Sequence, residues 1–95
     1  RLVRAAEAAL VQAKASLKKA AQDVARLRPL AEQDAVPRQD LDAALAAEEV
    51  ARAEVEAQEA NLTNSRIREE VGILQAKAQL QAAKANVALA QLNLG

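Results

Sequence analysis

Arg26-Leu27-Arg28-Pro29-Leu30-Ala31-Glu32-Gln33-Asp34-Ala35-Val36-Pro37-Arg38-Gln39-Asp40 is the stretch at which a long apolar repeat stops, two prolines enter, and the repeat resumes. Upstream, Val3, Leu10, Leu17 and Val24 fall seven apart, with Ala6, Ala13, Ala20 and Leu27 between them. Downstream, Leu41, Leu45, Val55 and Leu62 carry the register to Ile73, Leu80, Val87 and Leu94, with Ala76, Ala83 and Ala90 between the last four. A seven-residue repeat puts a narrow apolar stripe on one side of an α-helix, which a partner helix must cover. Interrupted once by a polar stretch, it reads as two helices folded back on each other. The predicted fold is all-α: a long antiparallel coiled-coil helical hairpin with an exposed tip.

Composition supports a slender object. The chain has 95 residues, 52% of them apolar, with no aromatic residue and much alanine. Methyl groups fill little volume, so a wide core is excluded, but alanine lets two backbones approach closely. Alanine, leucine, glutamine, glutamate, lysine and arginine are the strongest helix formers, and only two glycines and two prolines interrupt them. The 13 basic and 13 acidic residues cancel and are mixed along the chain. That argues against a nucleic-acid surface, which needs clustered cations and usually stacking aromatics. Opposite charges four apart (Glu48 with Arg52, Arg52 with Glu56, Lys19 with Asp23, Arg66 with Glu70) read as solvated helix faces. Cysteine is absent, so no disulfide framework arises. No apolar run is long enough to span a bilayer, so no direct membrane insertion by this segment is expected. Asn61-Leu62-Thr63 matches a glycosylation acceptor pattern, at low specificity.

Helix one is predicted over about residues 1–33, the tip proper over 34–36 and helix two over about 37–94, all in one domain of a longer protein. Pro29 should loosen the end of helix one, leaving regular helix to Arg28 and a tighter, irregular turn through Leu30 to Gln33. Pro37 suits a first helical position, where a missing N–H costs nothing. Asp40 and Asp42 then complement the positive end of the helix. Charged residues are expected in seam positions of helix two, at Glu48, Arg52, Glu59, Arg66 and Glu69. A second apolar line, Ile67, Val71, Leu74, Ala78 and Ala85, begins where those charges end.

The two helices differ in length, roughly 85 Å against roughly 50 Å at about 1.5 Å per residue. Folded back from the tip, Val3 reaches the level of Ile67, which leaves residues 71–94 without a partner inside the chain. Three solutions are open: an upstream helix, a second copy, or a turn at Leu62-Thr63-Asn64-Ser65 starting a third helix. The last gives a three-helix up-down-up bundle. The unbroken helix is preferred, because no Gly or Pro lies at the suspected turn. Self-association through the seam near Leu80 and Val87, giving a homo-oligomer, is then expected.

No catalytic or metal site is legible. Histidine, cysteine and tyrosine are absent, and Ser16, Thr63 and Ser65 have no base beside them. Glu48-Glu49 and Glu69-Glu70 lack the Glu-x-x-His spacing of a helical metal site, and there is no glycine-rich phosphate loop. No cofactor is called for. A membrane-surface helix would want aromatics and a cationic flank, which an alanine seam does not supply.

The tip carries a resemblance. Arg26, three residues, Leu30, six residues, then Pro37 resembles the tip of the α-helical hairpin of periplasmic adaptor proteins, the membrane fusion proteins of tripartite efflux and type I secretion systems. Those tips carry arginine, leucine and serine at this spacing, so proline stands here in place of the serine. Arg38-Gln39-Asp40-Leu41-Asp42-Ala43-Ala44 resembles the start of the family's descending helix, and Ala90-Gln91-Leu92-Asn93-Leu94-Gly95 the point where its chain leaves the hairpin. The resemblance implies a non-enzymatic adaptor in the periplasm, anchored to the inner membrane through parts outside this chain. Its tip would dock on a TolC-type outer-membrane channel, and other domains would reach an inner-membrane transporter. By this carry-over Arg26, Leu30 and Pro37 bind the partner, while Pro29, Asp34 and Arg38 shape the tip. The rival is a structural spacer or oligomerisation rod with no tip partner, in which Arg26 serves only the negative end of helix one and Leu30 only plugs the hairpin.

Overall fold

The structure, a computed structural model, describes residues 2–94; Arg1, the expected first residue of helix one, and Gly95, the last of the expected exit segment, lie outside the described residues. Two α-helices are present among the described residues: α1, Leu2–Glu32, and α2, Arg38–Leu94. By internal contacts the chain divides into two units, Arg1–Thr63 and Asn64–Gly95.

The first unit is a helical hairpin. α1 buries Ala6, Ala13, Val24 and Ala31, and Val3, Leu10, Leu17, Ala20 and Leu27 are half-buried beside them. All eight positions of the sequence repeat therefore face the partner helix, as a stripe of this period must. Opposite, α2 buries Leu41, Val55 and Leu62. Near the tip Val24, Ala31 and Leu41 form one cluster, joined by Leu27, Val36, Ala44 and Leu45. Among the described residues no side chain falls below 2% exposure. The core is one layer of side chains thick.

Two expectations about α2 need correction. Arg52, Glu59, Arg66 and Glu69, expected in the seam, are exposed; the half-buried positions are Ala44, Leu45, Glu48, Ala51, Gln58 and, in the second unit, Ser65. Both lines flank the buried residues at helical spacing. Past Leu45 the helix turns inward the one carrying Ala51 and Gln58, which spares charged groups the cost of desolvation. Glu48 is the exception: its side chain keeps 20% exposure and lies 4.0 Å from the Arg52 guanidinium. That is the pairing expected for these two residues; Asp23 instead takes Arg26.

The third-helix alternative also fails. α2 is one helix across residues 62–65, and the Thr63 hydroxyl donates to the Glu59 carbonyl at 3.1 Å. A threonine that bonds back four residues is acting inside a helix, not capping a new one. In the second unit the described residues, 64–94, are helical throughout and all exposed except Ser65. Among the described residues no helix is long and apolar enough to cross a membrane.

Candidate functional site at the hairpin tip

Pro29 does not loosen α1. The helix continues through it to Glu32, and the Gln33 N–H reaches the Pro29 carbonyl at 3.1 Å, so the ordinary helical bond is kept. What the proline removes is a donor to Ala25, and Ala25 is exposed, so water can take that carbonyl. Two further bonds close the end: Ala35 N–H to the Leu30 carbonyl at 2.8 Å, and Asp34 N–H to the Ala31 carbonyl at 3.1 Å. This crossed pair is the Schellman arrangement, and it requires a left-handed residue just past the helix. Asp34 supplies it with φ of 57°, in a place usually held by glycine. Aspartate is among the few other residues that tolerate that region.

The opposite side is held by side chains. Val36 precedes α2 by two residues and is half-buried in the same cluster as Leu41, in the first turns of the helix. An apolar residue before a helix packed on one inside its first turns fixes the angle at which the chain enters. Pro37 lies between them. It flanks α2 rather than opening it, and its carbonyl accepts the Asp40 N–H at 3.0 Å. The expected first helical position is thus off by one: Pro37 holds the capping place but has no side-chain oxygen to offer the free N–H groups. Asp40 sits in the first turn, where a negative charge is favoured.

Arg26 is exposed and lies four residues before Leu30, so both stand on one face of α1. Its guanidinium donates to the Asp23 carboxylate at 3.1 Å, with side chains 64% and 40% exposed. Leu30 is half-buried; Pro29, Asp34, Pro37 and Arg38 are exposed around the turn. The structure thus gathers the six residues expected at the tip within one turn and the helix end before it. Sequence reasoning placed Val36 in the tip and Leu27 in the seam but did not foresee that both pack against the cluster holding Leu41. For Val36 the signal was present, since an apolar residue five before Leu41 is the spacing of such a staple.

A family model described as RND MFP, alpha-helical hairpin domain, matches residues 3–68, with the tip near its centre. The chain belongs to this family. No curated protein and no solved structure matched. Membrane fusion proteins are periplasmic adaptors anchored at the inner membrane, generally non-enzymatic, that work with outer-membrane channels and inner-membrane transporters. The membrane fusion protein hairpin is the part present here, and the RND class narrows the resemblance drawn from the tip residues alone.

Proposed function

We propose that this hairpin is the channel-facing arm of an RND efflux adaptor, docking by its tip on a TolC-type outer-membrane channel. Other parts of the adaptor reach the inner-membrane transporter. The observation that carries the reading is the closure of the turn by its own backbone bonds, Ala35 to Leu30 and Asp34 to Ala31. A tip folded before contact loses little conformational entropy on docking, which favours affinity.

Arg26 is the principal contact. Its bond to Asp23 is an exposed ion pair, worth about 0.2–1 kcal/mol, and exchanges readily for a carboxylate or carbonyl at the channel mouth. A guanidinium presents several donors in one plane, which suits that exchange. Leu30 fills an apolar notch between channel helices. Pro37 gives shape and apolar contact and donates nothing. Pro29, Asp34 and Arg38 hold the outline of the turn.

Arg26→Asp tests the reading. It should weaken capture of the channel by the assembled adaptor at least tenfold, since reversing a paired charge at an interface costs about 2–5 kcal/mol. Far-ultraviolet circular dichroism should be unchanged, because position 26 is exposed. Normal assembly by this variant would count decisively against tip docking.

A further inference from the structure

Before any partner is present, the Arg26 guanidinium is already engaged. Its Nη2 donates to Asp23 Oδ1 at 3.1 Å. Asp23 stands three residues back along α1, on the side away from the turn, whereas Leu30 stands four residues forward. Side chains on a helix lean toward its N-terminus, so the bond follows the direction the arginine already favours. The group that is to reach the channel is thus drawn back along the flank of the hairpin.

Asp23 has a choice of cations by spacing. Lys19 lies four residues before it and Arg26 three residues after it. Both are helical neighbours, and Asp23 takes Arg26. Order explains the choice: an acid ahead of a base suits the helix better than a base ahead of an acid, as Lys19 and Asp23 would be. Lys19 and Asp23 both line the groove between the helices, beside Ala44 and Ala47. The Asp23 side chain keeps 40% exposure there, against 64% for Arg26, so its carboxylate is partly cut off from water. A charge in that place favours a nearby counter-charge over none. If Arg26 leaves, Lys19 is at hand for the carboxylate left behind.

We propose that Asp23 is a built-in competitor that restrains the tip, holding Arg26 back until an acceptor at the channel mouth displaces it. The inference rests on the reading of Arg26 as the docking contact. Arg26 then trades one acceptor for another, and docking is weaker than a free guanidinium would make it. An exposed ion pair is worth little, so the restraint tunes affinity without blocking the contact. It also works against wrong partners, because an acceptor that is weak or badly placed does not displace the carboxylate.

The test is capture of a TolC-type channel by the whole adaptor of which this hairpin is part, with four chains: the parent, Asp23→Asn, Arg26→Ala and the double variant. Asp23→Asn keeps the side-chain shape and removes the charge. It should tighten capture by about 1.5- to fivefold, the worth of an exposed ion pair, while the hairpin melts no higher than the parent. A merely structural role for Asp23 would give the opposite sign, since the variant loses a bond in the folded hairpin. Arg26→Ala should weaken capture, and adding Asp23→Asn to it should change nothing further. Weaker or unchanged capture by Asp23→Asn, with Arg26→Ala impaired, would overturn the restraint and leave tip docking standing. Tightening that persists in the Arg26→Ala background would also overturn it, because Asp23 would then be acting on the channel directly. Parent-like capture by Arg26→Ala would remove the docking reading and this inference together.

Discussion

Asp34 is the residue on which the tip turns, and substituting it isolates one physical term. Its φ of 57° lies where an ordinary side chain pays about 1–2 kcal/mol for contact between Cβ and the next carbonyl. Aspartate pays less and glycine nothing, but glycine adds freedom to the unfolded chain worth about 0.4–1 kcal/mol. Asp34→Gly should therefore be neutral or slightly stabilising, by up to roughly 0.5 kcal/mol once the two terms are set against each other. Asp34→Ala should destabilise by roughly 0.5–1 kcal/mol, and Asp34→Val by about 1–2 kcal/mol, since a β-branched residue fits left-handed backbone worst. Position 34 is exposed, so no packing is lost in any of them. At about 4–8 °C per kcal/mol for a domain of this size, thermal melts followed at 222 nm should separate the glycine and valine variants by roughly 4–20 °C. A valine variant as stable as the glycine variant would refute the left-handed closure, and with it the preformed tip.

Leu41→Ala removes the large residue of the tip cluster, 4% exposed between Val24 and Ala31. The expected loss is about 2–3 kcal/mol, the low end for buried leucine because a one-layer core can partly collapse; a denaturant midpoint near that of the parent chain would contradict the packing. Pro29→Ala restores a donor to the Ala25 carbonyl inside α1 and should stabilise the hairpin by about 1–2 kcal/mol, less than the full helix-interior proline cost because proline also stiffens the unfolded chain. A lower melting temperature for this variant would mean that the proline, not the helix, sets the shape of the tip.

How much of this was legible in the sequence differs between the helices. The α1 stripe was readable throughout because its seam residues, Val3 to Leu27, are all apolar and no polar line competes with them. In α2, Leu41, Val55 and Leu62 are flanked by two candidate lines. The large apolar members Ile73, Leu80 and Val87 belong to the line that is exposed within the hairpin at Arg52 and Glu59. Spacing alone could not choose between them; the cost of burying charge did. The tip was legible as a turn but not as a Schellman closure, because that signature is a glycine and this chain uses Asp34. Pro29 misled for a related reason. Its cost is real, but Ala25, whose carbonyl loses that donor, is exposed, so water can take its place and the helix runs on.

Seam and tip therefore rest on different kinds of interaction, and that bears on how such an arm could evolve. The seam is long-range: Ala6, Ala13 and Ala31 find their partners only when the two helices meet. The tip is short-range: its closing bonds span three to five residues, from Leu30 to Ala35, Ala31 to Asp34 and Pro37 to Asp40. Short loops close at little entropic cost, so the turn can hold its outline while the seam drifts among small apolar residues. Exposed tip positions such as Arg26 and Pro37 can likewise change without disturbing the seam, since neither is packed in it. Leu41 is where the two meet. It shares one buried cluster with the seam residues Val24 and Ala31, and Val36 of the turn packs against that cluster. Its loss should transmit a packing defect into the tip, so channel docking should track the stability of variants at position 41 more closely than that of variants at Val55 or Leu62.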